Sequence, residues 1–240
     1  SGSDVLQGNA GQDNMVGDDG NDTIYGGADN DTITGGSGND YLQGNKGKDD
    51  LTGGDGNDTL IGGQDDDTLA GGTGADYISG DIGADTITGG DGNDTLLGGD
   101  GNDTLVGGTG TDVLTGGANN DVFTFAAGTT GTFTAGVVDF GTADTITDFA
   151  TGVDKISFGG AAGATTNYFE LATTYATYDE AQTAANATVN GNADYLYVVA
   201  QVGSNSYLFY SDAGADNTVE NVVFLQGVTL AGIQASDIIA

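Results

Sequence analysis

Aspartate recurs at an interval of nine residues through the first half of the chain. It fills 14 successive registers without exception, and these are Asp4, Asp13, Asp22, Asp31, Asp40, Asp49, Asp58, Asp67, Asp76, Asp85, Asp94, Asp103, Asp112 and Asp121. Carboxylates repeated at a fixed interval offer hard oxygen ligands, which suit the binding of a cation. Because like charges about 5 Å apart repel by roughly 1 kcal/mol in water, and by more at lower dielectric, a column of them requires a counter-charge.

Two further residue types keep the same interval and define a nine-residue unit. A glycine lies five residues before each aspartate from Asp13 onward, from Gly8 through Gly116. A large apolar residue lies two residues after each aspartate: Leu6, Met15, Ile24, Ile33, Leu42, Leu51, Leu60, Leu69, Ile78, Ile87, Leu96, Leu105, Leu114 and Phe123. The unit is therefore GGxGxDxUx, in which U is the apolar residue.

The second and fourth slots of the unit hold glycine less strictly than the first slot. The exceptions are Asn9, Asp18, Asp29, Asn45, Asp65, Asp81 and Asn119. Asparagine and aspartate are the residues that best tolerate a positive φ after glycine. The pattern therefore predicts a left-handed backbone conformation at both slots.

The elements that must position these residues follow from the repeat length. Nine residues cannot bury one leucine alone, so neighbouring units must stack, as in a solenoid. Short strands such as Thr95-Leu96-Leu97 would alternate with six-residue turns, two per coil of 18 residues. This gives two small parallel sheets facing each other across the apolar column, with the aspartates in one column on each side. The predicted fold class is all-β, a right-handed parallel β-roll over residues 1–124 followed by a β-rich capping domain with one short helix over 125–240.

The composition excludes several classes of function. Three Lys+Arg against 36 Asp+Glu give a net charge of -33, which excludes nucleic acid held by phosphate contacts and disfavours anionic membranes. The chain has no Cys and no His, so disulfides, thiolate nucleophiles, imidazole bases and zinc sites of those ligands are absent. No run of 18 apolar residues offers a transmembrane segment. We therefore expect a non-enzymatic chain whose natural partners are cations.

The aspartate column predicts calcium as the cation. If the aspartates only formed turns, exchange with asparagine would be frequent, and there is none in the 14 registers. Carboxylates and loop carbonyls, with no soft ligand in the chain, favour calcium. Pairs of stacked units allow about 10 to 12 ions.

The repeat resembles the nonapeptide of RTX proteins, which form a calcium-binding parallel β-roll. The resemblance covers residues 2 to about 124. It implies that each calcium lies between two loops on the same side, held by the recurring aspartates and by backbone carbonyls of loop residues. Those carbonyls belong to residues such as Gly26, Gly27, Gly35, Gly36, Gly53, Gly54, Gly62, Gly63, Gly71, Gly72, Gly89, Gly90, Gly98, Gly99, Gly107 and Gly108.

Charges beside the repeated aspartate are expected to tune individual sites. Lys46 and Lys48 flank the loop of Asp49 and predict lower calcium affinity there. Acidic residues at the third slot either draw cations closer or form a solvated acidic rim, and these are Asp19, Asp55, Asp91 and Asp100.

The nine-residue period ends at residue 125, where a second module begins. β-Branched and aromatic residues predict strands over 121–125, 144–149, 155–158, 195–202, 206–210 and 219–225. The sequence GSN between Val202 and Ser206 predicts a hairpin turn. Thr177 and Glu180 form a capping box before an alanine-rich run to Ala187, which predicts the one helix.

The second module also carries a resemblance. DTITDFATGVDKISF, residues 144 to 158, is similar to the element that follows the β-roll in serralysin-like and other RTX proteins. The resemblance implies a domain that caps the roll and whose C-terminus, ending in Asp237-Ile238-Ile239-Ala240, is the export signal for type I secretion machinery; an edge strand is the alternative for these residues. Asp144, Asp148 and Asp154 either hold a further calcium or form turns.

Three functions are compatible with these features. The favoured one is the C-terminal part of a type I-secreted structural surface protein, such as a surface layer or adhesin of a Gram-negative bacterium, with exposed apolar residues contacting other copies or the cell surface. The candidates for such contacts are Val16, Tyr25, Ile61, Leu97 and Val106, unless they are ordinary surface residues.

The alternative is the folding and secretion tail of a secreted hydrolase such as a serralysin-like protease or lipase, whose catalytic domain would lie upstream, since no HExxH or GxSxG-type site with its histidine occurs here. Ice binding by a threonine face is the third, although Asn14, Asp50, Val16 and Ala70 interrupt that face.

Overall fold

A computed structural model describes residues 2–125, 144–151, 153–157, 168–175, 181, 185, 197–210, 221–229, 233 and 237–239. The chain divides into two compact units, Ser1–Phe123 and Thr124–Ala240. The first unit is a parallel β-roll of about seven turns. The predicted fold class is confirmed.

The roll is built from one strand per nonapeptide. Its strands are β1 (Val5–Ala10), β2 (Asn14–Asp19), β3 (Thr23–Ala28), β4 (Thr32–Ser37), β5 (Tyr41–Lys46), β6 (Asp50–Asp55), β7 (Thr59–Gln64), β8 (Thr68–Thr73), β9 (Tyr77–Ile82), β10 (Thr86–Asp91), β11 (Thr95–Asp100), β12 (Thr104–Thr109), β13 (Val113–Ala118) and β14 (Val122–Thr124). The odd-numbered strands, β1 to β13, form one parallel sheet and the even-numbered strands form the other. Each residue therefore pairs with the residue 18 positions along the chain, as Leu42 does with Leu60.

The apolar slot forms the core between the two sheets. Every apolar-slot residue from Ile24 to Phe123 is at most 1% exposed, and Met15 is 8% exposed. Leu6, in the first coil, is half-buried. The slots on either side of the apolar residue face outward, because successive side chains in a strand point to opposite faces.

The strands are longer than the sequence predicts. β11 runs through Thr95–Asp100, six residues rather than the expected three, because the two glycines that follow the apolar residue stay in the ladder. Gly99 pairs with Gly117 in register with Leu96 and Leu114. The turn is correspondingly reduced to the short segment that carries the aspartate.

The predicted left-handed slots are confirmed. Among the residues that the structure describes, seven non-glycine residues have a positive φ, and they are the seven replacements noted above: Asn9, Asp18, Asp29, Asn45, Asp65, Asp81 and Asn119. Their φ values lie between 71° and 83°, whereas the second-slot glycine Gly27 has a φ of 121°. An L-residue fits the turn only by moving to the narrow left-handed region.

The second unit contains the strands β15 (Asp144–Ile146), β16 (Lys155–Ser157), β17 (Tyr168–Tyr175), β18 (Tyr197–Val202), β19 (Asn205–Tyr210), β20 (Asn221–Leu225) and β21 (Ile238–Ile239). Its strands follow the order β15-β20-β19-β18-β17 in one sheet, and β16 pairs with β21 in the other. The predicted hairpin is present, since Val202 pairs with Asn205 across Gly203, whose φ is 63°.

Two parts of the second unit differ from the expectation or lie outside it. β17 was not predicted. An edge strand was the alternative expectation for the last residues, and the structure has the strand β21 there, in which Ile238 pairs with Ile156. Of the predicted helix, Ala181 and Ala185 are helical and fully buried, and its other residues lie outside the described ranges. Within the part of the chain that the structure describes, there is no helix with the length and apolar character that a membrane crossing needs.

Candidate metal centres

The repeated aspartates lie in two buried columns, one at each side of the roll. From Asp22 to Asp121 each is at most 3% exposed, while Asp13 is half-buried and Asp4 is exposed. The backbone N–H of one aspartate donates to Oδ1 of the aspartate 18 residues later, for example Asp40 to Asp58 over 2.8 Å. From Asp22 to Asp121, one carboxylate oxygen of each repeated aspartate thus links two neighbouring coils.

The second oxygen of these carboxylates is left without a hydrogen-bond partner. This is true of Oδ2 in Asp13, Asp22, Asp31, Asp40, Asp49, Asp58, Asp67, Asp76, Asp85, Asp94 and Asp103, and each of these atoms is buried. A buried polar atom without a partner is costly, and a charged one more so. The repetition of this buried oxygen fits the cation that the sequence predicts.

The first glycine of each repeat leaves the space that a cation would use. A Cβ built on Gly8 would lie 2.5 Å from Asp13 Oδ2 and 2.5 Å from the carbonyl oxygen of Gly26. A side chain in the first slot would therefore clash with both oxygens, and its absence leaves them open to calcium, which takes carboxylate and carbonyl oxygens as ligands. We call this arrangement the cradle: the first-slot glycine, the aspartate five residues later and the first-slot carbonyl of the next coil.

Eleven cradles are complete within the described residues, beginning at Gly8, Gly17, Gly26, Gly35, Gly44, Gly53, Gly62, Gly71, Gly80, Gly89 and Gly98. Their carbonyls come from the first-slot glycines of the following coil, which include the predicted Gly26, Gly35, Gly53, Gly62, Gly71, Gly89, Gly98 and Gly107. The second-slot carbonyls are placed differently, as Gly36 O faces Gly54 of the next coil.

Sequence reasoning missed three of the cradle carbonyls, those of Gly44, Gly80 and Gly116. Each occupies the first slot of a repeat. The available signal was the unbroken glycine in that slot, because the second glycine is replaced by Asn45 and Asp81 in two of these three repeats and so does not mark the position.

Burial makes the column unfavourable for bare carboxylates. Desolvation raises the pKa of Asp49, Asp58 and Asp94 to about 6. Desolvation, together with the charges of neighbouring column aspartates, raises the pKa of Asp67 and Asp103 to about 7. A cation in the cradle would counter both effects, since it favours the ionised form.

An asparagine column supports the loops from outside and was also missed. Asn21, Asn39 and Asn57 precede their aspartates, and Oδ1 of Asn39 accepts the N–H of Asn57 over 2.9 Å. Asn93 and Asn102 do the same for the residue 18 positions later, over 2.9 and 3.1 Å. The recurring GND tripeptide was the signal.

The charged residues beside the repeated aspartates, which are two lysines and the third-slot acids, differ in their contacts. Lys48 Nζ lies 2.5 Å from Asp66 Oδ2 on the following coil, and both side chains are about half exposed. Lys46 is exposed. Among the third-slot acids, Asp55 and Asp91 accept hydroxyl hydrogen bonds from Thr73 and Thr109.

In the second unit the three candidate aspartates differ in environment. Asp144 is fully buried, Asp154 is 3% exposed, and Asp148 is half-buried. Asp154 Oδ2 accepts the N–H of Ala150 over 2.7 Å, which stabilises a turn. Within the described ranges no three His, Cys, Asp or Glu side chains converge on one point, so a cation there would draw on backbone oxygens as well.

Comparison with known proteins identifies the repeat. The RTX calcium-binding nonapeptide repeat (4 copies) matches residues 1–33, 25–60, 34–69, 61–96 and 97–129, which together cover more than half of the chain. The chain belongs to this family. RTX nonapeptide repeats bind calcium, and they typify secreted proteins of Gram-negative bacteria.

Similar solved structures include two subunits of an epimerase and a lipase. The solution structure of the AlgE6R2 subunit of the Azotobacter vinelandii mannuronan C5-epimerase is 27% identical, covers 70% of this chain and 89% of its own, and has a TM-score of 0.46. The AlgE6R3 subunit of the same enzyme is 27% identical, with coverage of 73% and 78% and a TM-score of 0.38. Extracellular lipase LipA from Serratia marcescens is 19% identical over 92% of this chain and 40% of its own, with a TM-score of 0.41. No curated protein matches the chain.

Proposed function

We propose that the roll folds around calcium held in the cradles, and that the repeated aspartates from Asp13 to Asp103 are its side-chain ligands. The observation that carries the proposal is the set of buried Oδ2 atoms that lack a hydrogen-bond partner. Each faces a carbonyl oxygen across the space left by a glycine, as Asp13 faces Gly26 beside Gly8. Carboxylate and carbonyl oxygens are the ligands that calcium prefers.

Calcium binding would then control folding. The net charge of -33 and the stacked carboxylates oppose a compact state without a cation. Extracellular calcium modules bind at roughly 0.1 to 1 mM, far above free calcium in the cytosol. The chain would stay unfolded inside the cell, pass through type I secretion machinery, and fold outside, because binding free energy becomes folding free energy.

The role we propose for the folded module is structural, as part of a secreted surface protein such as a surface layer or adhesin. Exposed apolar side chains on the outer faces, including Val16, Tyr77 and Val113, support contacts with other copies or the cell surface. The sequence-based expectation was too broad here, since Tyr25, Ile61, Leu97 and Val106 are half-buried between neighbours in their sheets.

Sedimentation velocity on chelator-treated protein tests the proposal as calcium is raised from micromolar to about 10 mM, which brackets the extracellular range. We expect an expanded species that becomes compact, whereas magnesium at the same concentrations does not compact it, because magnesium requires a smaller octahedral site. An expanded species throughout would refute calcium-driven folding. Compaction followed by large ordered assemblies supports the surface role. Compaction to a species that stays monomeric supports the secretion tail of a hydrolase instead.

A further inference from the structure

The outer face of β1, β3 and β5 carries a groove of about 490 Å³, which we call the tyrosine groove. Its lining includes Gln7, Asn9, Tyr25, Gly27, Asn45 and Lys46. The register of the sheet produces it, because Gly27 pairs with Asn9 on one side and Asn45 on the other. The missing side chain at Gly27 leaves a gap between two amides.

Tyr25, which lines the tyrosine groove, contacts a second aromatic ring, that of Tyr41. The ring centroids of Tyr25 and Tyr41 lie 5.9 Å apart with an interplanar angle of 56°. The Tyr41 hydroxyl donates to Gln43 Oε1 over 3.3 Å. Half-buried tyrosines offer an apolar face together with a polar tip, which suits a ligand that has both apolar and hydroxyl surfaces.

The two amides of the groove retain hydrogen-bonding capacity. Asn9 Nδ2 donates to the carbonyl of Gln7 over 3.3 Å, and Asn45 Nδ2 donates to the carbonyl of Gln43 over 3.4 Å. Each of these contacts uses one N–H and fixes the amide in place. The Oδ1 acceptor and the second N–H of each asparagine remain for a ligand with hydroxyl groups.

The groove contains one cationic residue, Lys46, and none of the described residues that line it is acidic. The chain has only three cationic residues against 36 acidic ones. Lys48 pairs with Asp66 and Lys155 pairs with Asp237. Among the described residues Lys46 is the cation that has no ion pair, although it lies in a strongly negative molecule, so it is available to an anionic ligand.

We propose that the tyrosine groove binds an acidic saccharide, that is, a sugar chain carrying carboxylates. A sugar ring would stack on Tyr25, its hydroxyls would bond to Asn9 and Asn45, and a carboxylate would reach Lys46. One lysine and no arginine make a poor phosphate site, and the amide-rich lining makes a poor site for an apolar peptide. The groove shares Gly26 with the cradles, while its other lining residues lie outside them, and the proposal goes beyond the structural role proposed above.

Isothermal titration of the calcium-loaded chain with a tetramer of galacturonic acid tests the proposal, with neutral maltotetraose as the comparison and calcium held constant. We expect the acidic tetramer to bind and the neutral one to bind more weakly. Tyr25→Ala should weaken binding of the acidic tetramer about tenfold, since it removes the stacking surface. Lys46→Gln should weaken the acidic tetramer about fivefold and leave the neutral one unchanged.

Tyr77→Ala is the matched control, because Tyr77 lies exposed on β9 of the same sheet but does not line the groove. It should leave binding unchanged. Absence of binding to a chain that is compact in calcium overturns the groove proposal without affecting calcium-driven folding. Equal loss in the Tyr77 and Tyr25 variants overturns the assigned place, and equal affinity for both tetramers overturns the acidic specificity.

Discussion

The two adjacent glycines of each repeat are required for different reasons. At the first slot the φ is ordinary, and the lack of a side chain keeps the cradle open, as at Gly71 between Asp76 Oδ2 and the carbonyl of Gly89. At the second slot the backbone is left-handed, with a φ of 115° at Gly72. This explains why asparagine and aspartate replace glycine in the second slot and never in the first.

Gly71→Ala should therefore remove one calcium site, while the neighbouring change Gly72→Asn should not. Alanine would force a methyl group against Asp76 Oδ2 and the carbonyl oxygen of Gly89, the two candidate ligand atoms of this cradle. Asparagine already occupies the second slot at Asn45, where it lies between Gly27 and Gly63 as position 72 lies between Gly54 and Gly90. Calorimetric counting of bound calcium should give one ion fewer for the alanine variant. An unchanged count in the alanine variant, or an equal loss in both, would contradict the cradle.

The aspartate columns also predict an unusual pH dependence. The pKa values of Asp67 and Asp103 are about 7 in the folded chain, against an ordinary value of 3.8. Because folding raises these pKa values, the folded metal-free state binds more protons than the unfolded state, and its stability should rise as pH falls from about 7 towards 4. Protons would compete with calcium over the same range.

Circular dichroism of chelator-treated protein should show more β structure at pH 5 than at pH 7.5, and calcium titrations should show weaker binding at pH 5. The Asp67→Asn variant should reduce this acid response, since one of the raised pKa values is lost. A metal-free chain that folds better at pH 7.5 than at pH 5 would mean that the carboxylates are not desolvated in the folded state.

At the scale of single strands, the inward and outward positions should respond very differently to truncation. Leu60 is fully buried in the column between the sheets, whereas Leu97 lies on the outer face and is half-buried. Leu60→Ala should lower the free energy of unfolding by about 2–5 kcal/mol, because it removes buried methyl groups and leaves a cavity. Leu97→Ala should cost less than about 1 kcal/mol. Urea denaturation at saturating calcium measures both, and equal costs would mean that the apolar slot is not the core.

The alternation of inward and outward residues was predictable from the sequence. Asp, Gly and the apolar residue each keep a fixed position in every nine-residue unit, so stacking the units places the apolar residues of all coils in one column. The left-handed slots were predictable for the same reason, since only asparagine and aspartate replace glycine there. The strand length was not, because pairing of Gly99 with Gly117 depends on a neighbouring coil rather than on the residues' own preferences. β17 was missed because Tyr168–Tyr175 has no periodic partner in the sequence to mark it.

At the scale of the whole molecule, each coil depends on the next one along the chain. An aspartate N–H donates to the aspartate 18 residues later, and each cradle takes its carbonyl from the following coil, as Gly8 takes that of Gly26. Removal of residues 1–18 should therefore remove the two cradles that begin at Gly8 and Gly17 and leave the others intact. Stability in such arrays is close to a sum of neighbour terms.

Calcium counting and thermal unfolding of this truncated chain should show two ions fewer and a cooperative transition that is retained. Excision of an internal coil, residues 55–72, is the matched control, because it brings together coils with the same register. It should also remove two ions. Loss of all calcium binding in either variant would show that the roll folds as one indivisible unit rather than coil by coil.

The alternation of nonapeptides between two sheets has a consequence for how such a gene can lengthen. Duplication of 18 residues adds one coil and leaves every later side chain on its original face. Duplication of nine residues keeps the aspartate and apolar columns continuous, yet it transfers every strand after the duplication to the opposite sheet. The threonine-rich outer positions of β10 and β12 would then exchange sheets with those of β9 and β11. Whether the number of added repeats is odd or even therefore determines which outer residues lie on which sheet, while the core and the cation cradles stay the same in both cases.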